Sequence, residues 1–247
     1  MNDATIPAVP LTAPLYKEVK RQMMAGLTRG DWKPGEAIPS ERKLSEQFGI
    51  SIGTVRKAVD ELCAENILIR QQGRGTYVAS HNRDRNLFYF FHVVPETGAK
   101  SYPDVRLLAF ARGKADRTEA ERLSIAAGDT VLRIRNVLAL SDTPVIIDDI
   151  ALPAARFPGL TERQFRARPS TIYNLYQEAF GISVVKTSER LRATLADAEA
   201  ATLLSTTTGA PLLQIRRVAY TYHDDPVELR VSRVNTAHHE YWADIGV

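Results

Sequence analysis

Residues 39–78, PSERKLSEQFGISIGTVRKAVDELCAENILIRQQGRGTYV, decide how the first third of this chain folds. Ser40 follows a proline and precedes Glu41 and Arg42, the pattern of a helix N-cap. Leu44 and Phe48 fall on one side of the helix that follows, and Gly49 supplies the left-handed residue that closes it. Ser51 caps another helix only two residues later, so the two helices must cross steeply. In that second helix Val55, Ala58, Val59 and Leu62 form the apolar stripe, which leaves Ile52, Gly53, Thr54, Arg56 and Lys57 at its exposed start. The β-prone runs 67–69 and 76–78 then bracket Gln71-Gln72-Gly73-Arg74-Gly75, a tight hairpin with one arginine between two glycines. Helix, short turn, helix and glycine-tipped hairpin together predict a winged helix-turn-helix, which places its second helix in the major groove of duplex DNA.

The chemistry suits that placement. A helix N-terminus offers amides and a dipole to a phosphate, and Thr54 can donate to another phosphate oxygen. Arg56 can take a guanine edge bidentately or clamp the backbone. The Gly73–Thr76 tip can enter a minor groove, whose negative potential favours Arg74. A merely solvated charged face is the alternative, and the hairpin behind the two helices argues against it. Upstream, Leu15, Val19, Met23 and Leu27 recur every four residues and predict an amphipathic helix ending near Gly30. Trp32-Lys33-Pro34-Gly35 reads as a turn.

Composition sets the outer bounds. At 247 residues and 44% hydrophobic the chain has room for two ordinary globular domains. The first 80 residues carry 11 Lys and Arg against 9 Asp and Glu, and the remainder 21 against 20. Charge placement therefore matters more than charge total. No apolar run approaches the length of a membrane span, and the N-terminus lacks the basic and apolar regions of a secretory signal. Cys63, the single cysteine, rules out an internal disulfide and suits the cytoplasm. Four residues after Val59, it reads as small core filler.

The segment 14–79 closely resembles the N-terminal domain of GntR-type bacterial transcription regulators, through PLYKEVK, PGEAIPSERKL, TVRKAVDEL and QQGRGTYV. The resemblance implies that Arg42, Ser51, Thr54 and Arg56 hold or read DNA and that Gly73, Arg74, Gly75 and Thr76 form the wing. Ser40 and Lys57 complete the expected DNA-binding set. One departure stands out. Many relatives carry arginine directly after the capping Ser or Thr, whereas this chain has Ile52 and then Gly53. An apolar side chain can at most touch a thymine methyl, so an unusual operator is expected, with more weight on Arg56, Lys57 and the wing.

Beyond the predicted first domain, 12–78, residues 79–89 form a polar linker, ASHNRDRN and onward. From 90 to 247 come several β-rich runs: FYFFHVV, TVLRIRNVLAL, PVIIDDIAL, ISVVKTSERLRATL, PLLQIRRVAYTY and PVELRVSRV. Helical pieces are predicted at 116–125, 161–167, 171–180 and 196–204. Hairpins should turn at Ser141-Asp142-Thr143 and at His223-Asp224-Asp225. Paired strands with few helices predict an antiparallel sheet in an α+β domain. This order, with STIYNLYQEAFGI and PVELRVSRV, is similar to the ligand-sensing UTRA domain of the HutC branch, which shares the chorismate lyase fold. The implied function is a homodimeric repressor, released from a palindromic operator by a small metabolite. The alternatives are activation in place of repression, a constitutive or architectural DNA binder whose second domain only dimerises, and, least favoured, a chorismate-lyase-like enzyme.

In the family pattern two pocket arginines precede the proline equivalent to Pro144 by eight and six residues. Here those positions are Asn136 and Leu138, while Arg133 and Arg135 fall out of phase and onto the other strand face. The usual anion clamp is thus missing, and a phosphorylated sugar is disfavoured as effector. Asp148 matches the family's acidic position, and Thr171 and Tyr173 match an element that starts a helix beside the pocket. Glu228, Arg230 and Ser232 alternate on one strand, and buried charges there would need one another or a ligand. The expected ligand-binding set is Asn136, Asp148, Thr171, Tyr173, Glu228 and Arg230, which suits an amino acid or related zwitterion. No HExxH, GxSxG, metal-ligand spacing or phosphate-binding glycine loop is present, so no catalytic residue, metal or cofactor is expected.

Overall fold

The computed structural model describes residues 14–81, 89–97 and 100–243. The chain divides after Ala79 into two units. Most of the linker expected over 79–89 lies outside the described residues.

In the first unit, α1 (Leu15–Arg29), α2 (Glu41–Phe48) and α3 (Ile52–Ala64) lead into the hairpin β1 (Leu68–Gln71) and β2 (Gly75–Val78). Val19, Met23 and Leu27 are buried on α1 as expected, but Leu15, at the helix's open first turn, is exposed. Gly30 and Gly49 end α1 and α2 in the left-handed conformation, at φ 81° and 66°. Val55, Ala58, Val59 and Leu62 are the buried residues of α3. Burying each such side chain contributes about 1.5–3 kcal/mol for the larger ones. Ala37 bridges to Tyr77, so the segment after the Pro-Gly turn lies beside the hairpin. Cys63 is half-buried, and burial pushes its thiol pKa up, which suits an inert filler.

The second unit is α+β. Its six strands are all antiparallel, in spatial order β4-β5-β6-β9-β8-β7. The strands are β4 (Asp104–Lys114), β5 (Thr130–Leu140), β6 (Thr143–Pro153), β7 (Lys186–Leu195), β8 (Pro211–Thr221) and β9 (Asp225–Asn235). A two-stranded ribbon joins β3 (Val93–Pro95) to β10 (His239–Tyr241). The helices are α4 (Arg117–Leu123), α5 (Glu162–Arg166), α6 (Ile172–Phe180) and α7 (Ala198–Leu203). Each of the four predicted helical pieces is present. Ser141 and Asp142, at φ 48° and 64°, make the two-residue turn between β5 and β6.

Three sequence expectations need correction. Within the described part of FYFFHVV, residues 89–94, the strand begins only at Val93, and ISVVKTSERLRATL is strand only from Lys186. Strand β4 was not expected at all. A bulge between Leu107 and Ala109 interrupts its alternation, which hides the two-residue period.

The two sheet faces are covered differently. On one, α6 and the 154–166 segment pack Phe157, Phe165, Tyr173 and Tyr176 against Leu132, Ile134, Ile150 and Leu152. The ribbon adds Val93 to a second cluster with Leu138, Ile146, Ile215 and Val234 on the same face. On the opposite face α4 and α7 cover separate patches around Val131 and Leu229, and around Val137 and Ile147. The gap between the two clusters of the first face becomes the cavity described below.

Candidate DNA interface and effector cavity

At the start of α3 the Ser51 hydroxyl accepts from the Thr54 amide at 3.2 Å and lies 2.9 Å from the Thr54 hydroxyl. Ser40 caps α2 in the same way, accepting from the Lys43 amide. The Arg56 Nε donates to Glu41 at 2.8 Å, and Arg70 donates to the other Glu41 oxygen at 3.0 Å. Arg56 is nonetheless 61% exposed, and its two terminal nitrogens remain for a base edge or phosphate. Arg42 is exposed and pairs with Glu46. Lys57 lies back over the Tyr16 ring, 4.1 Å from its centroid, a cation–π contact it would have to leave to reach a phosphate. Ile52 is 43% exposed at the helix start. At the hairpin tip Gly73 (φ 71°) and Gly75 (φ 113°) take conformations that other residues avoid. Arg74 between them is exposed, and Thr76 is half-buried.

In the second unit a cavity of about 290 Å³ opens between the sheet and the start of α6. Asn136, Asp148 and Ser232 stand side by side across β5, β6 and β9, with Arg230 one row further along. Strand alternation puts Arg133 and Arg135 on the far face, where they pair with Glu119 and with Asp149 and Glu199. Of the six expected ligand residues, Asn136, Asp148, Thr171, Tyr173 and Arg230 line the cavity, and Glu228 lies beneath them without lining it.

A closed charge network forms the cavity floor. Arg230 donates from Nε and Nη2 to the two oxygens of Glu228, both at 3.0 Å, and from Nη1 to Asp148 at 3.0 Å. Ser232 donates to the other Asp148 oxygen at 2.5 Å. Tyr176 and Tyr173 donate to Glu228 at 2.7 and 3.3 Å. Burial works against the Arg230 charge, but the carboxylates of Glu228 and Asp148 outweigh it and hold its pKa well above the usual guanidinium value. Burial, with Glu228 adding to it, pushes the Tyr173 phenol up to about 12, so it stays a donor. Beside this network Arg217 pairs with Glu189 and donates to the Phe90 carbonyl, and Tyr241 donates to Glu189.

Two matches fix the family. Residues 15–78 match the bacterial regulatory proteins of the gntR family, and residues 99–240, more than half the chain, match the UTRA domain. The chain belongs to the GntR family, UTRA type. It is a transcriptional regulator with a DNA-binding winged helix and an effector-binding UTRA domain. A histidine utilization repressor of Pseudomonas aeruginosa is 30% identical over 206 residues, 83% of this chain and 81% of that protein. A "Probable fructoselysine utilization operon transcriptional repressor" of Escherichia coli is 28% identical over 227 residues, 87% and 88% of the two chains. The solved ligand-binding domain of a Bordetella bronchiseptica protein assigned to the GntR family superposes with a TM-score of 0.62. It is 36% identical, and the match covers 64% of this chain and 99% of that one.

Sequence reasoning missed several residues of this GntR-type cavity. Arg168 and Arg217 line it, and Tyr176 and Glu189 stand behind it. The Arg217–Glu189 pair joins strands whose alignment only the sheet register reveals. Arg168 lies in a loop just ahead of α6, where no periodicity marks it.

Proposed function

We propose that this chain is a cytoplasmic, homodimeric repressor that grips a palindromic operator with two copies of α3 and the wing. A small metabolite entering the UTRA cavity releases it. Ser51, Thr54, Arg56, Arg74 and the wing glycines carry the DNA contacts, with Ser40, Arg42, Lys57 and Thr76 in support. Asn136, Asp148, Thr171, Tyr173 and Arg230 surround the effector, and Glu228 holds Arg230 in place from below. The relatives named as repressors support the sign of regulation, and a family of regulators supports a non-catalytic role.

One observation carries the coupling. The N-terminus of α6 lines the cavity, while Asn174 and Gln177 on the same helix hold His81. Asn174 Nδ2 donates to the His81 carbonyl at 3.0 Å, and the His81 amide donates to Gln177 Oε1 at 2.8 Å. His81 stands two residues after Ala79, where the first unit ends. A shift of α6 on effector binding therefore pulls directly on the chain leaving the DNA-binding unit.

The test is fluorescence anisotropy with DNA from upstream of the chain's own gene, repeated with fractionated metabolite extract. Two subunits per site, and release by one fraction, are expected. DNA binding that no fraction reverses would replace this reading with a constitutive binder.

A further inference from the structure

The cavity contains two kinds of polar group, and only one kind is already satisfied. Asp148 and Arg230 are already bonded to each other and to Ser232 and Glu228. Glu228, the second carboxylate in the zwitterion expectation, does not line the cavity, so that expectation loses support. Asn136 is different. Its side chain is 0% exposed, yet neither Nδ2 nor Oδ1 has a hydrogen-bond partner. A buried amide left unpaired at both ends is costly, and such groups persist where something else supplies the partner. Asn136 lines the cavity, so that partner can enter from it.

Arg168 is the second unsatisfied group. Its Nε is buried and unpaired, its Nη1 donates to the Phe165 carbonyl at 2.5 Å, and its guanidinium lies 4.3 Å over the Phe165 ring. Among the described residues it has no carboxylate within ion-pair distance, whereas the other cavity arginines 166, 217 and 230 each have one. It lies just ahead of α6, whose N-terminus favours an anion in the same place. One unpaired cation suits one negative charge. Phe91, Val105 and Leu138 supply an apolar wall for the rest of the ligand. A volume of about 290 Å³ is at the small end of ligand pockets, which run from about 300 Å³ upward.

We infer that the effector is a small monocarboxylate bearing an amide-type group, a carboxamide, lactam or ureide, whose adjacent donor and acceptor pair with Asn136 while its carboxylate meets Arg168. This rests on the effector role proposed above for the cavity. By the same reasoning Asn136 is the residue that sets specificity. A sugar phosphate would bring a second charge with no cation to meet it and would leave the Asn136 amide without a matched partner.

The experiment uses the full chain and matched acids in calorimetric titrations. 5-Oxoproline is compared with 3-methylcyclopentanecarboxylate, and N-carbamoylglycine with 4-methylpentanoate, alongside glucose 6-phosphate. At least one amide acid should bind ten times more tightly than its matched analogue. Asn136→Leu should reduce that preference to within about twofold, and Arg168→Gln should weaken the amide acid at least tenfold. Ligand-free Asn136→Leu should also melt at a higher temperature, because it removes an unpaired buried amide. Failure of every amide acid, binding by the sugar phosphate alone, or unchanged discrimination in Asn136→Leu would overturn the inference. So would a lowered melting temperature, since the amide would then belong to the scaffold. Operator binding measured in parallel separates the two claims. Its absence would remove the repressor reading, whereas retained operator binding with no amide acid bound removes only this inference.

Discussion

Replacing Arg230 with alanine tests whether the cavity floor is a sealed charge network. In the native chain Arg230 is 13% exposed, Asp148 3% and Glu228 0%. The substitution strands two carboxylates beneath the sheet's covered face and removes three charged hydrogen bonds. Breaking a buried pair by deleting one member costs about 3–5 kcal/mol. At roughly 2–4 °C per kcal/mol for a domain of this size, the melting temperature of the second unit should fall by roughly 6–20 °C. Most of that loss is stranded charge and not lost packing. Adding Glu228→Gln to Arg230→Ala should therefore recover about 1–3 kcal/mol, since a neutral amide is cheaper to bury than a lone carboxylate. Urea unfolding of the single and double variants, followed by circular dichroism, measures both steps. A single-variant loss below about 1 kcal/mol would show that water reaches these carboxylates. A double variant no more stable than the single would assign the loss to packing around the arginine stem.

Three further outcomes follow from the geometry. Arg56→Ala should cost about 1–3 kcal/mol of specific operator binding while leaving the melting temperature within about 2 °C. Unchanged affinity would mean that α3 does not read DNA at this residue. Ile52→Arg should shift selected operators toward guanine at one position per half-site, as read from selection on randomised DNA, and an unaltered consensus would place residue 52 away from the bases. His92 is held below its ordinary value of 6.5 by burial and by the neighbouring Arg217 charge, with Glu189 opposing. The unfolded chain thus binds that proton first, and stability should fall as pH drops below about 6.5. His92→Gln should flatten that part of the profile, and identical slopes would assign it to other groups.

The DNA-binding unit was legible because its signals are local. Caps, turn glycines and a four-residue apolar spacing each lie within a few residues of what they specify, and Ser40, Gly49 and Ser51 act as their types require. The strand phase that puts Asn136 on the cavity face and Arg133 and Arg135 on the other also follows from simple alternation. What escaped was either broken in period or distant in sequence. The bulge in β4 disguises a strand. The three residues of β10 form a strand only because β3, far earlier in the chain, pairs with them. The sequence placed Glu228 and Arg230 on one face but could not show that they consume each other's charge, which depends on a contact with Asp148 across the sheet.

That last point changes how the sensor can work. Arg230 and the two floor carboxylates are already bonded to one another, whereas Asn136, in the same row as Asp148, and Arg168 each keep an unpaired polar atom for a ligand. An unpaired buried amide raises the free energy of the empty protein by about 1–3 kcal/mol. A ligand that relieves this penalty in only one position of α6 gains that amount in one state and not in the other. Tenfold release from DNA needs a difference of about 1.4 kcal/mol. The penalty at Asn136 is of the same order as that difference. The two hydrogen bonds that tie His81 to Asn174 and Gln177, each worth about 0.5–1.5 kcal/mol net, together match it in size. Asn174→Ala with Gln177→Ala should therefore leave effector binding intact while weakening effector-driven release of DNA.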